Sequence, residues 1–203
     1  MNPLIKKLVI VIVIIIVLSG IYCGSYLPFR KSQFYINAQT GLRGVRSLDD
    51  FNNLFDPALG FYSPVGQDEV VSGYLQTLIS LTSQQSNKEL IDILVKQAEA
   101  RTAPILEKEK GFNFSQNIYN LAAIYAVSAI KFNDDIYYQK GVETFRLGLK
   151  HSPNRQMFLY GLFNLYQFKG DKEGMKEIGE TILKYWPDDL QILKSVAPVS
   201  NKQ

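Results

Sequence analysis

The chain has 203 residues, 22 Lys+Arg, 19 Asp+Glu and a formal net charge of +3. With 46% hydrophobic residues, 12% aromatics and 20% charged, it is not a disordered chain, and its single cysteine, Cys23, excludes an internal disulfide framework. The charge is divided along the sequence: Lys6, Lys7, Arg30, Lys31, Arg43 and Arg46 are the basic residues of 1–46, which holds no acid, leaving 16 basic against 19 acidic residues in 47–203. A basic protein that binds nucleic acid carries its Lys and Arg on the folded domain, and here that domain is mildly acidic, so nucleic acid is excluded as a partner.

The first predicted element is a membrane span at 8–29, after a short stub at 1–7. Every residue from Leu8 to Leu18 is Leu, Val or Ile, and 22 uncharged residues separate Lys7 from Arg30. As a helix that stretch reaches about 33 Å, against roughly 30 Å of bilayer hydrocarbon. Tyr22, Tyr26 and Phe29 stand at its far end, where aromatic rings favour the membrane interface. A cleaved signal peptide is the rival reading, with Lys6-Lys7 as its n-region. The apolar run is longer than such peptides use, and an A-x-A cleavage pattern is missing. Cys23 is not placed as a lipoprotein cysteine, because Tyr22 stands where a small residue is needed. The short basic stub predicts a cytoplasmic N-terminus and an extracytoplasmic remainder, although basic pairs flank the span on both sides. The reading is therefore a single-pass protein of a bacterial inner membrane.

Residues 30–46 contain Gly41 and Gly44, show weak periodicity, and read as a connector or frayed helix. Helical spacing then recurs through 47–198, leaving a tail at 199–203. Ser47-Leu-Asp-Asp50 opens a helix that Pro64 and Gly66 close. The next runs over about 68–82 on an apolar face of Val70, Val71, Tyr74, Leu75, Leu78, Ile79 and Leu81. Ser86-Asn-Lys-Glu89 has the form of a capping box and opens a helix to about Lys108, kinked at Pro104. Further helices are expected over 115–132, 136–151, 155–169, 172–185 and 189–195. No strand-like alternation of useful length appears, so the predicted class is all-α.

Internal similarity adds a repeat. Leu149-Lys-His-Ser-Pro153 returns as Leu183-Lys-Tyr-Trp-Pro187, with 34 residues between the prolines. That spacing resembles the tetratricopeptide repeat, whose helix pairs end on a proline. With Gln156 as its first position, Leu159, Leu162, Tyr166, Ile182 and Pro187 fall on signature positions. Phe163, Met175 and Gly179 depart from the motif. The preceding unit aligns through Asn133-Asp134 with Gly170-Asp171 and places Tyr125, Ala126 and Ala129 at packing positions. The resemblance implies an α-solenoid of antiparallel helix pairs following the membrane helix.

A second resemblance rests on Asn120-Leu-Ala-Ala-Ile-Tyr125, on the run from Leu149 to Gln156, and on Leu48-Asp-Asp-Phe-Asn-Asn-Leu-Phe55 followed by Ser63-Pro-Val-Gly-Gln-Asp-Glu69. These look like the extracytoplasmic repeat tail of bacterial O-antigen ligase/polymerase-like membrane proteins. That chemistry needs many membrane helices and a large catalytic loop, so it is not carried over. The alternative function it leaves is an accessory or detached tail of such a system, acting in surface polysaccharide assembly.

Catalytic motifs are missing: there is no H-E-x-x-H, G-x-S-x-G, P-loop or Rossmann fingerprint. His151, the single histidine, lies at a helix C-terminus, where a basic group complements the dipole. Gly41-Leu-Arg-Gly44 is too short a signal for phosphate binding. Asn113-Phe-Ser115 matches a glycosylation sequon but reads better with Ser115 as a helix N-cap. Asp134-Asp135 and Asp188-Asp189 stand at helix starts and read as caps rather than cation ligands. No cofactor, metal or small-molecule substrate is expected, and the chain is read as no enzyme.

The partner-binding candidates come from the repeat resemblance, which implies that the first helix of each pair lines a concave surface. Met157, Tyr160, Asn164 and Gln167 fall there on one helix, and Asn120, Ala123, Val127 and Ile130 on the preceding one. Asn164 has the donor and acceptor to match an extended peptide. The opposing reading has these residues covered by the connector or the C-terminal helix. Arg30, Lys31, Arg43 and Arg46 are candidate contacts to lipid headgroups, with Arg30-Lys31 alternatively just ending the membrane helix. The expected function is a membrane-anchored scaffold that engages a protein partner of an envelope assembly.

Overall fold

A computed structural model of the chain describes residues 3–110 and 113–196, so the tail assigned to 199–203 lies outside the described residues. Among those described every regular element is helical. The apolar run forms α1, Pro3–Ile21, which passes through a wide turn at Tyr22–Tyr26 into α2, Leu27–Gly41, and then a tight turn at Leu42–Gly44. The whole stretch Pro3–Gly44 is thus one uninterrupted helical rod, and the segment read as a connector or frayed helix is largely α2. In the wide turn Leu27 N–H donates back to Tyr22 O, a π-type bond, and the Tyr22 and Tyr26 rings stack at 5.4 Å.

Contacts divide the chain into two units, 1–74 and 75–203, with the division inside α4. In the first unit, α3 spans Leu48–Gly60 and α4 begins at Gln67. The capping box at Ser47 is complete: its hydroxyl accepts from Asp50 N–H at 3.0 Å and the Asp50 carboxylate accepts from Ser47 N–H at 3.1 Å. A stripe of Leu27, Lys31, Phe34 and Ala38 runs up α2, with Leu27, Lys31 and Ala38 buried. The α3 helix packs on α2 in antiparallel register: a Cβ added at Gly41 would meet Leu54, and the Phe34 and Phe61 rings lie 5.3 Å apart. Phe51, Phe55 and Tyr74 close the core as a trio with centroids 4.9–5.5 Å apart.

The second unit contains the end of α4 (Gln67–Gln84) and six further helices. These are α5 Lys88–Lys108, α6 Phe114–Phe132, α7 Asp135–His151, α8 Gln156–Lys169, α9 Lys172–Tyr185 and α10 Leu190–Val196. Each of α5 to α10 packs on the next, and α6 also touches α8. Glu109 and Asn133, both left-handed at φ 47° and 49°, end α5 and α6, and Gly170 at φ 72° ends α8. The α5 helix continues through Pro104.

Two expected caps differ. Asn87, not Ser86, caps α5, accepting from Leu90 N–H at 3.2 Å, because the helix starts one residue later than the capping box requires. Ser115 lies inside α6 rather than at its N-cap, and its hydroxyl pairs with that of Ser152 at 3.0 Å.

The α7–α8 contact is a reciprocal interlock. The Phe158 ring from α8 lies over Gly148 of α7, and the Phe145 ring from α7 lies over Gly161 of α8. A Cβ at either glycine would come within 2.5 Å of ring carbons, so glycine permits this approach. Phe145, Phe158 and Phe163 are all buried.

Candidate functional site

The residues expected on a concave surface separate into two groups. On α8, Asn164 and Gln167 are exposed, while Met157 and Tyr160 are half-buried. On α6, Asn120 is only 1% exposed, with its side-chain oxygen accepting from Gln116 Nε2 at 3.1 Å. Gln116 in turn receives a hydrogen bond from Arg155 Nη2 at the head of α8. Asn120 therefore belongs to the α6–α8 contact and not to an accessible surface. Ala123 and Val127 are half-buried and Ile130 is exposed.

Tyr160 is engaged by its own chain. Its hydroxyl donates to Asp189 Oδ2 and its ring meets Trp186 edge-on at 6.2 Å. Asp189 also accepts from Gln191 and Ile192 N–H groups at 3.0 Å, which caps α10. The Tyr160 hydrogen bond, followed by the backbone donors, holds the Asp189 carboxyl below the usual carboxylate range. Burial, then the Asp189 acceptor, pushes the Tyr160 phenol up. Of the α8 set, Asn164 and Gln167 are the exposed pair, beside the exposed Phe168.

The basic set also divides. Arg43 and Arg46 are exposed, and Arg30 donates to Gln33 Oε1 at 3.1 Å while lying over the Phe34 ring at 5.1 Å. Lys31, expected at lipid headgroups, is instead 2% exposed: its ammonium donates to Phe61 O at 2.7 Å and to Gln67 Oε1 at 2.5 Å. Burial lowers its pKa.

Sequence reasoning passed over a polar groove of about 210 Å³ in the second unit, where α5, α7 and the turn before α7 line it with Lys88, Asp92, Glu99, Asp134, Tyr137 and Lys140. Two tyrosines organise it. Tyr137 O–H donates to Asp92 Oδ1 at 2.6 Å, and Tyr125 O–H donates to Glu99 Oε1 at 2.7 Å. Their rings stack at 6.4 Å, with Lys88 over Tyr137 and Lys140 over Tyr125, each 5.5 Å from the ring centre. Lys140 also pairs with Glu99 at 2.7 Å and Lys88 with Asp134 at 3.0 Å. Burial and then the carboxylate acceptors push both phenols above their ordinary value. Each carboxylate has a donor and each lysine named in these pairs an acceptor. With Lys96 also in the lining, three carboxylates face three lysines, and the groove is a charge-balanced clasp holding α5 against α6 and α7.

The remaining candidates are local. Asp134 caps α7 through Ile136 and Tyr137 N–H, and His151 lies edge-on to Phe114 at 4.9 Å. Among the described residues, no group of three or more His, Cys, Asp or Glu is placed to hold a metal ion.

Comparison with protein families, with curated proteins and with solved structures finds no match to this chain. Among the described residues, what fold and site define is an all-helical protein with one helix long and apolar enough to cross a membrane.

Proposed function

We propose that the chain is a non-enzymatic, membrane-anchored scaffold whose tetratricopeptide-like helical domain engages a protein partner of the bacterial envelope. The observation that carries this reading is the exposure of α1: no residue from Leu8 to Tyr26 is buried, although the stretch is almost wholly apolar. A helix hydrophobic all round needs a bilayer or a protein core around it, and this one has no core. Insertion across the inner membrane, with the helical domain outside the cytoplasm, satisfies that demand. Two further features support an array that binds rather than reacts. Consecutive helices α5 to α10 pack neighbour on neighbour with a skip contact from α6 to α8, as repeat arrays do. The polar groove between α5 and α7 is internally paired, Lys88 with Asp134 and Lys140 with Glu99.

The partner surface in this reading is the open part of α8, Asn164 and Gln167. Photocrosslinking residues placed at Asn164 and Gln167 in the full chain, expressed in its membrane, should give discrete protein adducts that the same residue at the exposed Glu180 of α9 does not. An identical adduct pattern from all three positions would reject this surface.

A further inference from the structure

The turn joining α3 to α4 is fixed at the end of the apolar helix, with its own apolar side chains uncovered. Lys31 lies two residues beyond Phe29, about 3 Å along the axis. Helical side chains lean toward the N-terminus, so Lys31 reaches back toward the apolar stretch. There its ammonium grips both ends of the turn, through Phe61 O at 2.7 Å and Gln67 Oε1 at 2.5 Å. Gly66, left-handed at φ 90°, places its backbone so that an added Cβ would be 3.6 Å from Lys31 Cδ. The antiparallel register of α2 and α3 requires the same placement, since Leu54 lies against Gly41 while Phe61 lies against Phe34. At that level the turn presents Tyr62 at 75% exposure and Val65 at 60%, on the Lys31 side of the helix, while Phe29, about 200° around the axis from Lys31, and Tyr26 are exposed away from it.

We propose that residues 61–66 form a second membrane contact, with Tyr62 and Val65 entering the lipid interface beside the point where the apolar helix leaves it. The inference rests on the anchor reading above. Continuity with the aromatic end of the span identifies the bilayer as the occupant: Tyr22, Tyr26, Phe29 and Tyr62 then form one aromatic collar, the arrangement interfacial tyrosines favour. Asp68 and Glu69 follow the turn and oppose attraction to anionic headgroups, so contact comes from the apolar tip and does not need anionic lipid. Lys31 in this account is the pin that holds the turn at interface height. Two points of attachment on one rigid unit would fix how that unit stands on the membrane.

The test uses the full chain with Trp186→Phe, which removes its sole tryptophan, reconstituted in phosphatidylcholine vesicles whose acyl chains carry bromine near the headgroup. Single tryptophans are placed by Tyr62→Trp, Val65→Trp, Tyr22→Trp and Asn53→Trp. Asn53 neighbours Leu54, which lies against Gly41, about 18 Å along the axis from Phe29. The expected result is loss of most emission at positions 62, 65 and 22, and none at 53. Quenching at 22 without quenching at 62 and 65 overturns the second contact while leaving the anchor standing. Equal quenching at 53 also overturns it, because the unit then lies flat on the lipid. No quenching at 22 removes the anchor and this inference with it.

Discussion

The Gly148→Ala substitution tests the α7–α8 interlock most sharply. In an unconstrained helix interior, alanine is better than glycine by about 1 kcal/mol. At Gly148 the new methyl would stand 2.2, 2.4 and 2.5 Å from Cε1, Cδ1 and Cζ of Phe158. Ordinary carbon contacts are about 3.5–4.0 Å, so the ring edge must retreat by more than 1 Å. It has little room, because Phe158 is fully buried and packs edge-on against Tyr119 at 6.1 Å. Overpacking of this kind costs roughly 1–3 kcal/mol, and three ring atoms in close approach place it in the upper half. Net destabilisation of about 1–2 kcal/mol remains after the propensity gain. Urea unfolding of the full chain in neutral detergent, followed by Trp186 emission, measures it. In a Phe158→Leu background the same Gly148→Ala change should be neutral or stabilising, since the ring edge is gone. Stabilisation by about 1 kcal/mol in both backgrounds would refute the interlock.

In the first unit, Phe55→Ala removes the buried ring between Phe51 and Tyr74 and should cost about 3–5 kcal/mol, read as lost helical circular dichroism at lower denaturant. Tyr137→Phe deletes the donor to Asp92 and should cost about 1 kcal/mol in urea unfolding. Tyr125 has its pKa raised in the fold, so its contribution is complete below about pH 10, where an unfolded phenol titrates, and is lost as pH rises above it. Tyr125→Phe should flatten that alkaline loss of stability. Asp189 has its pKa lowered, so its contribution is present above about pH 4 and lost as pH falls further. Acid should therefore shift Trp186 emission as the α8–α10 corner loosens, and Tyr160→Phe should shrink the shift.

The apolar run, the start of α3 and the lengths of α4 to α10 were legible because period and caps dominate those stretches. The α2 helix was not. Its buried stripe is Leu27, Lys31, Phe34 and Ala38, and a lysine at a core position hides the period from any count of apolar residues. The signal that could have found it is the 4-3-4 spacing itself. The candidate surface was half legible. Sequence register put Asn164 and Gln167 on the exposed side of α8, and the opposing reading, cover by the C-terminal helix, describes Tyr160, which Asp189 and Trp186 take. The inward-facing Asn120 was not legible. Phe163 stood out as too large for its repeat position. The structure places nearby small residues elsewhere, at Gly148 and Gly161, where neighbouring phenylalanines enter. Isolated glycines inside helical patterns were the available clue. The Tyr125–Tyr137 clasp joins residues from three helices, and no local pattern predicts such a meeting.

The central claim is that Leu8–Phe29 crosses the inner membrane and carries the helical domain outside the cytoplasm. It is tested by a single cysteine at Asn164 in a Cys23→Ser background, exposed in intact cells to a maleimide that cannot cross the inner membrane. The account predicts full labelling without permeabilisation, with the labelled chain remaining in the pellet after alkaline carbonate extraction. Labelling only after the inner membrane is opened, or release of the chain by carbonate, would contradict it.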